Sequence, residues 1–206
     1  MSFNTSFLNI LRGLDPLDKE YNDWLMYDLS DHSVDGILKS APYFLQGVKR
    51  PQYLIKTSPD YYVARDTKTN TVYMCYKNIM MLDFDKNDLT IDSLLDNLPK
   101  DMSFMIYKTE RGYHAFCVSR KFEYRTRETV EFMHNYKDLG IDIDYIRFCY
   151  IRGFSVRLNK KFNGENKDNY KYITTTNEQL VDNDLKNLVE LHITECKKYK
   201  KDLNLN

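Results

Sequence analysis

From Pro51 onward the chain passes through a succession of short apolar, aromatic-rich segments separated by turn-forming residues, and this patterning limits the fold more than any other feature. "PQYLIKTSPDYYVARDTKTNTVYMCYKNIMMLDFDKND" is dense in β-branched and aromatic residues, with "DTKTNT" (66–71) as a turn between two strands and a further strand running into Asp83 and Asp85. Residues 102–119 alternate as a hairpin, strands 102–108 and 113–119, turning through Thr109-Glu110-Arg111-Gly112. Helical periods alternate with these strands. "TIDSLLDNLPKD" predicts a short helix stopped by Pro99, and "RTRETVEFMHNYKDLG" an amphipathic helix with Val130, Phe132, Met133 and Tyr136 inward and Gly140 as its stop. "IDIDYIRFCYI", "FSVRLNKKF" and "YKYITTT" read as further strands, and "NDLKNLVELHITECKKYKK" as a closing helix whose basic end suits its dipole. The segment up to about Lys39 is acidic and helix-like, with Leu8, Leu11, Leu14, Trp24, Leu25 and Tyr27 in interrupted helical spacing around Asp15-Pro16. The order predicts one α+β domain over residues 1–206 with mostly antiparallel pairing: a helical segment over 1–40, a mixed core, and a closing helix within 176–206.

Composition narrows the classes. With 206 residues, 42% of them hydrophobic, the chain can bury one good core. Thirty basic residues balance thirty acidic ones, so no overall polycation announces DNA or a membrane surface. The charges are segregated, however: Arg147, Arg152, Arg157, Lys160 and Lys161 lie in one stretch without an acid, which predicts a locally basic face, whereas Asp15 to Asp35 holds seven acids against Lys19. Cys75, Cys117, Cys149 and Cys196 are scattered singly, which speaks against zinc and against a disulfide framework. No apolar run reaches the length of a membrane span and the first residues lack a signal-peptide pattern, so a soluble, intracellular protein without a membrane partner is expected.

Two acidic pairs stand out. Residues i and i+2 of a strand share a face, so Asp83 and Asp85 should project together at the end of the apolar run "IMML". Alone, such a pair is an ordinary solvated strand end. A second pair, Asp142 and Asp144 in "GIDIDYI", sits in a similar apolar context, and two acidic pairs beside a basic run suit divalent metals and a polyphosphate. The hairpin adds Lys108, Arg111 and His114, with Gly112 permitting a close backbone approach or a positive φ, and an imidazole there can hydrogen-bond a phosphate oxygen. His32, His134 and His192 lie in helix-like segments and are expected to pack or face solvent, and Tyr113 and Phe154 to pack in the core.

In that order and at comparable intervals, "MMLDFD", "TERGYH" and "DIDYIRFCYIRGFSVRLNKK" resemble motifs I, II and III of the archaeo-eukaryotic primase superfamily, especially its primase-polymerase branch, over about residues 60–175. The resemblance implies a two-lobed domain with an RRM-like sheet, flanking helices and an active site in the cleft between lobes. It implies that Asp83, Asp85 and a third acid, Asp144 by preference or else Asp142, hold Mg2+ or Mn2+. His114, with Lys108, Arg111, Arg152, Arg157 and Lys160, would then grip a nucleoside triphosphate. The partners implied are a single-stranded or primed DNA template, nucleoside triphosphates, and a helicase or other replication protein, with DNA primase or polymerase chemistry as the activity. Gly112 departs from the serine frequent in the family, and the interval from the third acid to the arginines is about two residues longer than in many relatives.

Two rival expectations remain. One is a catalytically inactive relative that binds nucleic acid or nucleotides. The other is an Asp-x-Asp metal-dependent sugar transferase or phosphatase, which accounts for neither the hairpin histidine nor the later arginines; a phosphatase would in addition place Thr or Val where Asn87 stands.

Overall fold

The computed structural model describes residues 29–47, 52–66, 70–159 and 170–201. The elements run α1 (Val34–Gly47), β1 (Gln52–Thr57), β2 (Tyr61–Asp66), β3 (Val72–Tyr76), β4 (Met81–Phe84), α2 (Ile91–Asn97), β5 (Phe104–Lys108), β6 (Tyr113–Cys117), α3 (Arg127–His134), α4 (Ile143–Arg152), β7 (Phe154–Arg157), β8 (Lys171–Thr175) and α5 (Asn183–Lys201). Two four-stranded antiparallel sheets form, ordered β1-β2-β3-β7 and β4-β6-β5-β8. The chain is thus α+β, as the alternation of periods predicts. Of the helical N-terminal segment, residues 1–28 lie outside the described residues, and α1 begins at Val34.

The sheets share one hydrophobic core. Val63, Met74 and Tyr76 of the first sheet and Phe104, Ile106 and Phe116 of the second belong to the same buried cluster, and the Tyr76 ring meets Phe116 edge-on at 6.4 Å. Strand β3 is buried along its whole length because both of its faces are covered: Val72, Met74 and Tyr76 enter the main core, while Tyr73 and Cys75 pack with Ala64 and Tyr62 on the other side. Helix α5 meets the second sheet through His192, whose ring lies 5.0 Å from Phe116 and 5.6 Å from Tyr107.

Local signals explain the ends of the elements. Thr90 caps α2 by accepting from the amide of Ser93, and Thr126 caps α3 by accepting from that of Thr129. Gly140 closes a 3-10 turn, Lys137–Leu139, in the left-handed region with φ 85°.

One expected strand is a helix. "IDIDYIRFCYI" becomes α4, because the Asp142 side chain accepts from the amides of Asp144 and Tyr145 and so caps a helical turn. The buried residues Tyr145, Ile146 and Cys149 then fall at helical spacing. Only an antiparallel bridge between Phe84 and Ile141 keeps sheet character at its start.

Candidate functional site

The register of the second sheet assembles the site. Strand β4 pairs with β6 so that Asp83 stands opposite His114, and β6 pairs with β5 so that His114 stands opposite Tyr107. On the outer side of β4, Asp85 donates its amide to the carbonyl of Gly140 at 3.0 Å and Asp142 donates its amide to that of Asp83 at 2.9 Å. These two bonds flank the Phe84–Ile141 bridge, which sets Asp142 directly across from Asp83. Asp142, Asp83, His114, Tyr107 and its neighbour Tyr172 therefore form one transverse row on a single face.

Like charges directly opposite one another oppose pairing. The carboxyl of Asp142 is accordingly held above its ordinary range, first by burial and then, against its own amide bonds, by the charges of Asp83 and Asp144. Asp83 is relieved on its other side: Nε2 of His114 lies 3.1 Å from its Oδ1. Asp85 is more exposed and meets Arg111, Nη1 to Oδ2, at 3.3 Å. Aspartate oxygens are hard donors of the kind Mg2+ and Mn2+ prefer, and an acid pair facing across a strand edge is the charge pattern a divalent ion offsets. As the side chains stand, no group of three His, Cys, Asp or Glu residues among the described ones is arranged to hold a metal ion.

Asp144, the preferred third acid, is turned elsewhere. It occupies the first turn of α4 and accepts from Nη1 of Arg147 at 2.6 Å. Arg147 is 1% exposed and also donates to Ser40 Oγ and to the carbonyls of Leu29 and Asp31, tying α4 to α1 and the stretch before it. The sequence cue of i, i+2 spacing fails here because the pair straddles a helix cap, so Asp142 faces Asp83 while Asp144 faces an arginine.

The expected basic face divides in the same way. Arg147 is interior, and the Arg152 guanidinium lies 4.7 Å from the Tyr73 ring centroid and 4.3 Å from that of Phe148, a cation–π sandwich. Arg157 is exposed at the end of β7, while Lys160 and Lys161 lie outside the described residues. Lys108 is adjacent to Tyr107 on β5 and so points to the opposite face from His114, its Nζ 4.1 Å from the Tyr113 ring centroid. Arg111 and His114 remain beside the acids.

Gly112 is required by closeness, since a Cβ there would overlap the carbonyl oxygen of Phe84. The hairpin is thereby pressed against the strand that bears the acids. Tyr113 and Phe154 are buried, as expected.

Three residues join the site that were not expected there from the sequence. Tyr170 packs on His114 at 5.3 Å, and burial raises its phenol well above the ordinary range while Arg157 and Asp83 act on it with opposite sign, so it stands within electrostatic reach of both. The Tyr145 hydroxyl is buried beside Cys149, its acidity suppressed first by burial and then by Cys149 and Asp83. His192 completes the group and was detectable: Leu185, Val189, His192 and Cys196 form one buried helical stripe, so the histidine occupies a core position of α5.

All four cysteines are buried and free. Among the described residues no helix is long and apolar enough to cross a membrane. Comparison with protein-family models, with curated proteins and with solved structures finds no match for this chain.

Proposed function

We propose that the chain is a metal-dependent nucleotidyltransferase of the primase-polymerase kind, extending or initiating a strand on a DNA template. The observation that supports this best is the pairing of Asp83 with Asp142 across the edge of β4, two acids distant in sequence facing one another beside His114. Asp83, Asp85 and Asp142 would hold Mg2+ or Mn2+; Asp142 replaces Asp144 in that set because of its position. When bound, such ions lower the barrier to attack by a 3'-hydroxyl and neutralise charge on the departing pyrophosphate. The chain's own groups orient the substrate. His114 and Arg111 flank the acids and would grip the triphosphate, the planar guanidinium suiting bidentate contact with phosphate oxygens, and Arg157 would approach from the far side of Tyr170.

The test is incorporation of labelled deoxynucleotides or ribonucleotides on a primed and an unprimed single-stranded template, with Mg2+ and with Mn2+, by the wild-type chain and by Asp83→Ala. Metal-dependent products that disappear in the variant support the proposal. A second reading has its own observation: each of the three acids already has an internal partner, namely His114, Arg111 or the amides that Asp142 caps. A nucleotide-binding module without catalysis fits that state. Triphosphate binding with no incorporation by the wild type would select it.

A further inference from the structure

Which acid of the second pair enters the site depends on how α4 is rotated. Two residues span about 200° around a helix, so Asp142 and Asp144 do not both face β4. The buried apolar residues of α4, Tyr145, Ile146 and Cys149, favour one side of the helix, but apolar attraction is non-directional and sets the angle only loosely. Hydrogen bonds have direction.

One side chain supplies them. Arg147 is 1% exposed and donates from all three of its nitrogens: Nε to Ser40 Oγ at 3.0 Å, Nη1 to Asp144 Oδ1 at 2.6 Å, and Nη2 to the carbonyls of Leu29 and Asp31 at 2.9 and 3.1 Å. Its anchor is itself fixed, since Ser40 Oγ donates to the carbonyl of Gly36 at 2.6 Å within α1. Asp144, three residues before Arg147, shares its face of α4 and is held to the same anchor. Asp142 is left toward β4, where its amide meets the carbonyl of Asp83 at 2.9 Å. Burying a guanidinium is costly, and apolar side chains of similar volume often serve stability as well. An apolar side chain would not fix the angle.

We propose that Arg147 is a positioning residue: by locking α4 to α1 and to residues 29–31, it sets the helix rotation that presents Asp142, and not Asp144, to Asp83. The locking stands on printed contacts of the fold, whereas its consequence for metal affinity rests on the metal set proposed above.

The test is residue-by-residue amide hydrogen exchange of the 206-residue chain in chelator, with Arg147→Met, which keeps a long side chain and removes every donor. The amides of Asp142 and Asp85, bonded to Asp83 and Gly140, should speed up at least about tenfold more than the amides pairing β5 with β6, whose exchange reports the stability of the sheet as a whole. Ser40→Ala removes one acceptor and should act in the same direction by about fivefold, the weight of one hydrogen bond. It decides alone should the Met variant not fold, as judged by thermal melts. In a Mn2+ titration read by the resonance of the free ion, Arg147→Met should weaken binding about tenfold or more, as loss of a supporting residue usually does. A wild type that binds no Mn2+ overturns the metal set and leaves exchange to decide the positioning role. That role is overturned if, in a folded variant, the Asp142 amide is unmoved or speeds up only in step with the β5–β6 amides.

Discussion

Asp83 and Asp85 end a strand, whereas Asp142 and Asp144 straddle the first residue of a helix, and one i, i+2 spacing therefore sends the two pairs into different surroundings. Along β4 the spacing keeps both acids at the mouth of the β5–β6 hairpin, one against His114 and the other against Arg111. At α4 the pair is split: Asp142 caps the helix and faces Asp83, while Asp144 secures a buried arginine. Spacing alone does not define a face. The backbone that carries it does.

Catalytic activity separates the two pairs most widely. Asp83→Ala and Asp142→Ala should each reduce metal-dependent nucleotide incorporation by at least about 100-fold, the upper end of what loss of a metal's supporting groups usually produces. Asp144→Ala should change it less than about fivefold, because its carboxylate serves Arg147 at 2.6 Å. Steady-state incorporation rates at saturating Mn2+ decide. The assignment of Asp142 fails if Asp144→Ala is the more damaging substitution.

Gly112→Ser comes next, by stability. A Cβ cannot fit against the Phe84 carbonyl, so the hairpin must move off β4, at about 2–3 kcal/mol by the scale of overpacked sites. Chemical denaturation measures that loss. The serine common in the resembled family is therefore excluded here by packing rather than by any need of the chemistry.

Much of this was legible in the sequence, for identifiable reasons. The hairpin, the short helix stopped by Pro99 and the strand running into Asp83 and Asp85 carry strong local signals; the hairpin and the helix form, and the strand ends at Phe84, between the two acids. The sidedness of Lys108 also lay within reach: a four-residue turn pairs residue 108 with 113, so 107 pairs with 114 and Lys108 must point away from His114. The helix at 143–152 was not legible, because a short, mainly apolar segment fits either period, and the decision was made by the Asp142 cap beside the distant Phe84–Ile141 bridge. Arg147 misled for a related reason. An arginine counts as surface charge until its carbonyl, hydroxyl and carboxylate partners, 107 to 118 residues away except for Asp144, are known to surround it.

The same arginine gives a test in which the two pairs should change places. Asp144→Ala leaves a guanidinium that is 1% exposed without its carboxylate, while Asp144 itself is more than half exposed, so the loss is discounted to about 1–2 kcal/mol. Unfolding midpoints should fall although incorporation persists. An unchanged midpoint would mean that the remaining partners of Arg147 suffice.

The smallest effect is the most diagnostic of Asp142, because its sign is unusual for an aspartate. In the folded chain its carboxyl is raised, by burial first and by Asp83 and Asp144 next, so between the ordinary carboxyl range near about pH 4 and the raised value the folded state binds more protons than the unfolded state. Stability from this group is thus fully present at acidic pH and is lost as pH rises through that window. Asp142→Asn preserves a capping oxygen for the amides of Asp144 and Tyr145 and removes the charge. At neutral pH in chelator it should stabilise the chain by a few tenths of a kcal/mol to about 0.5 kcal/mol, after screening of a half-exposed group. The gain should shrink as pH falls and vanish only below the ordinary carboxyl range, at about pH 2–3, where both side chains are neutral, and divalent metal should stabilise the wild type but not the variant. Denaturation curves at the two pH values, with and without Mn2+, would place Asp142 beside Asp83 in energy as well as in register; a variant less stable than wild type at neutral pH would show that the helix cap needs the charge more than the facing aspartate resists it.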